Sequence, residues 1–264
     1  MGCMLAIANP KGGVGKTTTT INVGAALAER GRKVLLVDFD PQGHLSVGCG
    51  LKETYSNTRF ELASLILKGD IEQIKAYIAA VEKFWIMPAH MSLIRLEDEL
   101  VVQRAGESRL SKLLAPLGDE FDFCLIDSPP TISILTDSVL LAARRVVVPI
   151  QAEDTSIRGL HALEDEILEL KDILDADIQI TAVLPNMVMN NSVSERVLTE
   201  LRGKTSQVLQ RWPKVMTQVE IRKRIDLAKA WYAGKSIFNY NPRCDAIESY
   251  RKLARFLDRT YRPG

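Results

Sequence analysis

The chain has 264 residues, 46% of them hydrophobic and 25% charged, with 34 Lys and Arg against 33 Asp and Glu. This composition excludes a disordered, collagen-like or disulfide-stapled chain, and the length suits one α/β domain over 1–264 with at most a small appendage. Four cysteines (Cys3, Cys49, Cys124, Cys244) lack C-x-x-C spacing, so no zinc or iron–sulfur site is expected and reduced thiols fit a cytoplasmic protein.

The first predicted element is a strand over Met4-Leu5-Ala6-Ile7-Ala8, too short for a signal peptide or a membrane span. Met1-Gly2 begins like an N-myristoylation signal, but Ala6 stands where that signal needs Ser or Thr. Next comes Pro10-Lys11-Gly12-Gly13-Val14-Gly15-Lys16-Thr17-Thr18, a glycine-rich form of G-x-x-x-x-G-K-[ST]. Its glycines reach backbone angles closed to other residues, so the N–H groups of Gly12, Gly13, Val14 and Gly15 can turn inward around a polyphosphate. Lys16 supplies a charge for the β- and γ-phosphates, Thr17 a hydroxyl for Mg²⁺, and Thr18 completes the nucleotide-binding set. Lys11, five residues before Lys16, has no evident task in its own site but can reach a nucleotide held by a facing subunit. A helix then runs from Thr17 to Arg30 through Ile21, Ala25 and Ala28, with Gly31 as its C-cap. An ordinary glycine turn does not need this strand–loop–helix setting; a phosphate bound at a helix N-terminus does.

Further apolar runs alternate with helical stretches. Strands are predicted at Val34–Val37, Phe84–Met87, Phe123–Ile126, Val146–Ile150 and Ile178–Val183. Helical stretches fill roughly 60–80, 95–117, 157–173, 192–210 and 244–259. Near-continuous apolar strands with helices between them imply one doubly wound, mostly parallel sheet flanked by helices, and the glycine-rich loop after its first strand makes it of the phosphate-loop (P-loop) nucleotide-binding type. Ligands of such sheets lie beyond the carboxyl ends of the strands.

Polar residues gather at those ends. After the second strand stand Asp38 and Asp40, two carboxylates at i and i+2, costly to bury without a partner such as hydrated Mg²⁺. Asp40 is the better residue for orienting an attacking water and Asp38 for the outer shell of the metal, although an N-cap role suits either one alone. The fourth strand ends in Asp127, placed as a Walker B carboxylate that holds Mg²⁺ directly or through water. The sixth ends in Asn186, either a donor and acceptor for an adenine edge or a plain turn residue. Charge is uneven: residues 190–264 carry 16 Lys and Arg against 7 Asp and Glu, and 1–189 are net acidic. A basic third is a candidate DNA face through Arg222, Lys223, Arg224, Arg196 and Arg202, with Lys204 and Lys229 nearby, or a solvated helical surface.

These residues resemble the ParA/Soj branch of the ParA/MinD family of deviant-Walker ATPases. Lys11 to Thr18 matches its phosphate loop, Asp38-Phe39-Asp40-Pro41-Gln42-Gly43 its second motif, and Ile126-Asp127-Ser128-Pro129-Pro130 its third. Val148-Pro149-Ile150-Gln151, Ala233-Gly234-Lys235-Ser236-Ile237, Asn241-Pro242-Arg243 and the helix bearing Tyr250 extend the likeness along the chain. The resemblance implies ATP and Mg²⁺ as cofactors and a homodimer closed by ATP, with Lys11 acting in trans. It also implies non-specific double-stranded DNA as a partner, a nucleoid-associated location, and hydrolysis stimulated by a cargo adaptor of the ParB type. Two departures stand out: His44 where Asn is usual, read here as a solvated loop histidine, and Arg222 and Asp226 where the family has Pro and Arg. With the phosphate loop at residue 10, an operator-reading helix-turn-helix ahead of it is not expected.

The alternatives are a MinD-like, membrane-associated regulator of cell division and a metal-cluster carrier. The first needs an amphipathic C-terminal anchor, whereas Ile247, Tyr250, Leu253, Ala254 and Leu257 form a core-packing stripe; the second needs paired cysteines, and Cys124 has no companion.

Overall fold

The strands carry apolar residues on both faces, so helices must cover the sheet twice. The structure, a computed structural model, describes residues 2–52, 62–153, 156–203 and 206–261. In chain order β1 (Cys3–Ile7) leads to α1 (Lys16–Glu29), β2 (Val34–Asp38) and α2 (His44–Gly48). Then come α3 (Leu62–Lys68), α4 (Ile71–Tyr77), β3 (Ala79–Val81), β4 (Phe84–Met87), α5 (Leu93–Val101), α6 (Arg109–Leu114) and β5 (Phe123–Asp127). After these lie α7 (Ile134–Ala143), β6 (Arg145–Gln151), α8 (Ser156–Leu174), β7 (Gln179–Asn186), α9 (Ser192–Arg202) and α10 (Gln207–Arg211). The last described helices are α11 (Ile225–Tyr232), α12 (Ile237–Tyr240) and α13 (Ala246–Thr260).

The sheet order is β3-β4-β2-β5-β1-β6-β7, parallel except where the edge strand β3 pairs antiparallel with β4. Side chains of each strand alternate between two cores. Leu5, Ile7, Val34, Leu36, Leu125 and Val147 pack in the layer that includes Leu27 of α1, Ala230 of α11, Ile237 of α12 and Leu253 of α13. Met4, Ala6, Leu35, Val37, Ile126, Val146 and Val148 pack with the layer from α3 to α10. Each fully buried Leu or Ile contributes about 1.5–3 kcal/mol, so the two layers together hold the strand ends in register.

The doubly wound sheet stands as the sequence predicts, and its elements differ in detail. The helical reading of 60–80 is corrected to two short helices and the edge strand β3. Gly69 at φ 67 breaks the first helix, and the Asp70 side chain caps the second by accepting from Gln73 N at 3.2 Å. The stretch 192–210 likewise divides, at Gly203. Helix α7 escapes a periodicity search because eight of its ten residues are buried and no polar face marks it. After α10 the chain returns to the sheet, bridging Ala182 to Met216 and Val188 to Arg222, so residues 216–223 run along β7 to its carboxyl end.

Helix α13 lays Ile247, Tyr250, Leu253, Ala254 and Leu257 into the core, as its stripe predicts. Its end is tied to the chain after α1: Asp258 Oδ2 accepts from Arg30 Nη2 at 2.6 Å and Oδ1 from Arg32 Nε at 2.6 Å. Burial pushes the Asp258 carboxyl up, but the bonds from Arg30 and Arg32 outweigh it and hold the carboxyl below its ordinary 3.8. Asp258→Ala is expected to cost about 1–3 kcal/mol by leaving two guanidinium groups without their acceptor. Chemical denaturation at several pH values checks this. The wild-type advantage should be complete above the ordinary carboxyl value and fade as pH falls below it.

Candidate nucleotide site

The loop from β1 to α1 is built for an anion. Gly13 and Gly15 sit at φ 74 and 90, and a Cβ on Gly15 would lie 2.7 Å from Asn186 Nδ2, so position 15 excludes a side chain twice over. The N-cap of α1 is Gly15, which has no side-chain oxygen for the first-turn N–H groups. Buried Asn9 pins the loop's entrance, donating from Nδ2 to Pro149 O at 2.8 Å and accepting from Lys11 N on Oδ1 at 2.8 Å. Lys16 folds back inside the loop, its Nζ donating to Asn9 O at 2.9 Å and Lys11 O at 3.2 Å.

Three carboxyl groups converge from the ends of β2 and β5. Asp127 accepts from Thr17 Oγ1 at 2.7 Å and from Thr20 Oγ1 at 3.3 Å. Asp38 accepts from Ser46 Oγ at 2.6 Å and Ser46 N at 2.7 Å, and Asp40 from Gln42 N at 2.9 Å. Burial, with the nearby charge of Asp38, drives the Asp127 carboxyl well above its ordinary range, while Thr17 and Lys16 oppose the rise. Burial, helped by the negative charge of Asp40, outweighs the two Ser46 bonds on Asp38, which is pushed up to about 7. Burial also lowers the Lys16 ammonium, against the pull of Asp127 and Asp40. The site therefore carries more acid than its own lysine neutralises.

Two cavities flank the loop. One, of about 440 Å³, is bounded by Gly12, Gly13, Lys16, Thr17, Asp40 and Tyr232. The other, of about 350 Å³, is mainly apolar and lies between Gly15, Thr18, Asn186, Ile221, Leu227 and Tyr250. Asn186 stands where the sequence places it, with its amide used differently. Nδ2 donates inward to Val14 O at 2.9 Å and Thr19 Oγ1 at 3.3 Å, and buried Oδ1 is left without a partner. Met187, at φ 55, borders both cavities.

His44 is corrected from a loop residue to the first residue of α2; it is exposed, its ring edge-on to Trp231 at 6.2 Å, while Trp231 Nε1 donates to His44 O. Sequence reasoning passed over Trp231 and Tyr232 at the cleft's mouth, and Asn9 and Thr20 beneath it, because nothing in their spacing sets them apart. The basic candidates do not form one free cluster. Arg222, Lys223 and Arg224 line the apolar cavity beside the phosphate loop, and Arg224 is held by Asp245, Nε to Oδ1 at 2.7 Å. Arg202 is committed to Thr217 O at 2.8 Å and Glu220 at 3.1 Å. Arg196 and Lys229 are exposed on α9 and α11, and Lys204 lies outside the described residues.

Because ionised Asp38 is penalised by burial, its neutral form favours the free protein below the ordinary value of 3.8, and that advantage is lost as pH rises through about 7. Asp38→Asn is therefore expected to raise the thermal midpoint of the free protein in chelator, and by more at pH 8 than at pH 5.

A family model described as an AAA domain matches residues 2–180. The chain is 35% identical over 262 residues to the sporulation initiation inhibitor protein Soj of Bacillus subtilis, covering 97% of this chain and 98% of that one. It is 34% identical over 259 residues to the chromosome partitioning protein ParA of Myxococcus xanthus, covering 97% and 88%. Among solved structures, cobyrinic acid a,c-diamide synthase of Mycobacterium smegmatis with bound ADP and magnesium superposes with a TM-score of 0.81 at 30% identity, over 100% of this chain and 97% of that one. Likeness of this order along nearly the whole of both chains carries one conclusion: this chain belongs to the ParA/MinD family of ATPases.

Proposed function

We propose that the chain is an ATP-driven switch that partitions or positions a DNA or protein cargo. It would close as a homodimer around ATP and Mg²⁺, bind duplex DNA without sequence preference, and reset when a cargo-borne adaptor of the ParB type stimulates hydrolysis. One observation carries the reading. The open N-terminus of α1, with Lys16 and Thr17 on its first turn, shares with Asp40 a cleft large enough for a polyphosphate, and Thr17 is hydrogen-bonded to the buried Asp127.

The residues fit the two cofactors. Mg²⁺ is a cation that keeps water and phosphate oxygens around one or two protein groups, and a hydroxyl beside a carboxylate is such a pair. Thr17 and Asp127, already 2.7 Å apart, would hold it, with Asp38 behind them. Bound there, Mg²⁺ neutralises charge on the β- and γ-phosphates. The unpartnered Oδ1 of buried Asn186 suits an amino donor such as the exocyclic amine of adenine, with Ile221 and Leu227 to cover the ring. Gly12, Gly13, Val14, Gly15 and Thr18 would wrap the phosphates, Lys16 would move from the carbonyls it now holds onto them, Asp40 would orient the attacking water, and Lys11 would act across the dimer.

The partition reading is favoured over a membrane-bound one by α13, whose apolar face is spent on the core; no described helix is long and apolar enough to cross a membrane. Lys16→Ala is expected to abolish measurable ATP binding by calorimetry; wild-type affinity would remove the assignment of that lysine. For DNA, Arg222 and Lys223 are the exposed members of the predicted cluster, with Arg196 and Lys229 as further candidates. Compared at equal content of ATP-dependent dimer, Arg222→Glu with Lys223→Glu should lower DNA retention by about tenfold or more. The slope of log affinity against log salt should flatten by about 0.9 for each phosphate that is no longer neutralised. Unchanged retention would move the DNA surface elsewhere.

A further inference from the structure

Lys11 does not lie over its own phosphate loop. Its N–H is fixed to Asn9 Oδ1, its Cβ lies 3.6 Å from where a Cβ on Gly159 of α8 would stand, and its Nζ is 3.9 Å from Glu153 Oε2. Glu153 is in turn oriented from the end of β6, where Gln151 Nε2 donates to its other oxygen, Oε1, at 2.5 Å. Two residues at and just past the end of β6 therefore act on Lys11: Glu153 faces the ammonium, and Gln151 sets the direction of the glutamate. A residue larger than glycine at 159 in α8 would press on Asn9 Oδ1, 3.1 Å from that Cβ position, the atom that fixes the Lys11 N–H.

From this we infer that Glu153 is a positioning residue that acts through Lys11, parking the lysine on its own protomer and so raising the threshold for dimer closure. The inference rests on the trans role of Lys11 proposed above. Lys11 would leave Glu153 when a facing nucleotide offers the denser charge of a triphosphate. Because Lys11 O also accepts from Lys16 Nζ, the nucleotide that draws Lys16 onto its phosphates removes one of the bonds that hold the backbone beside the parked lysine. Loading the protomer's own site and releasing its Lys11 toward the partner are then linked steps.

The pair is half-exposed, with side chains 31% and 47% accessible, so its strength is that of a surface ion pair, a factor of roughly 1.4 to 5 in an equilibrium constant. A symmetric dimer breaks two such pairs. Glu153→Gln should therefore lower the dissociation constant of the dimer about 2- to 30-fold, and leave nucleotide affinity of the dilute protomer within about twofold.

Sedimentation with Mg²⁺ and ATPγS, on wild type, Glu153→Gln, Lys11→Ala and the double variant, reads this directly. The expected result is a tighter dimer in Glu153→Gln, a weaker one in Lys11→Ala, and no further change when Glu153→Gln is added to Lys11→Ala. Glu153→Ala should repeat the tightening, which separates lost charge from a new amide contact. An impaired Lys11→Ala dimer beside an unchanged or weakened Glu153→Gln dimer overturns the inference alone. A dimer indifferent to Lys11→Ala overturns the trans role of that lysine, and the inference with it.

Discussion

Everything at this site depends on burying carboxyl groups beside too little positive charge. Asp38, Asp40 and Asp127 are each almost wholly removed from water, and Lys16 is the lysine buried among them. Burying a charge is costly unless it is paired, and the chain answers with several partial measures. Ser46 donates twice to Asp38, Thr17 and Thr20 donate to Asp127, and proton uptake is favoured at Asp38 and Asp127. None of these is as effective as a divalent cation with phosphate oxygens around it. The free protein therefore holds carboxyl groups in a setting that a metal–nucleotide complex would relieve, which is a physical reason for the switching proposed above.

The sheet makes that concentration of charge possible. Asp38 and Asp127 are register partners at the ends of β2 and β5, and Ile7 at the end of β1 pairs with Asp127, so the glycine-rich loop springs from the strand beside Asp127. In a parallel sheet all these ends point the same way. The two apolar layers fix the strands against sliding, because a slip of one residue would move Leu5 and Ile7 into the layer that holds Met4 and Ala6.

The segment 216–230 links this chemistry to the outside. Hydrogen bonds from Ile221 N to Pro185 O and from Lys223 N to Val188 O carry it along β7 to the cavity beside Gly15. Helix α11 then turns back so that Trp231 meets α2, the helix that follows Asp40; a Cβ on Gly48 would collide with its ring. The basic residues and the carboxylate segment thus share one packed element, which gives a direct physical contact between the region proposed to meet DNA and the region proposed to meet nucleotide.

Much of this was legible in the residues. Lys11 to Thr18, Asp38 with Asp40, and Asp127 announce themselves because phosphate and metal chemistry restricts residue type and spacing, and six apolar runs announce a sheet because burial on both faces leaves no polar alternation. Tertiary structure decided what depends on long-range pairing. It placed Arg222 to Arg224 on a cavity wall and gave Arg224 to Asp245 and Arg202 to Glu220, pairs 21 and 18 residues apart. It turned the Asn186 amide onto a loop 172 residues earlier, and it set Lys11 against Glu153 through a turn that only the neighbouring strands β1 and β6 bring close. Residue type and spacing set the local chemistry, whereas the partner that a charge finds is set by the packing of distant elements, and no local pattern encodes it.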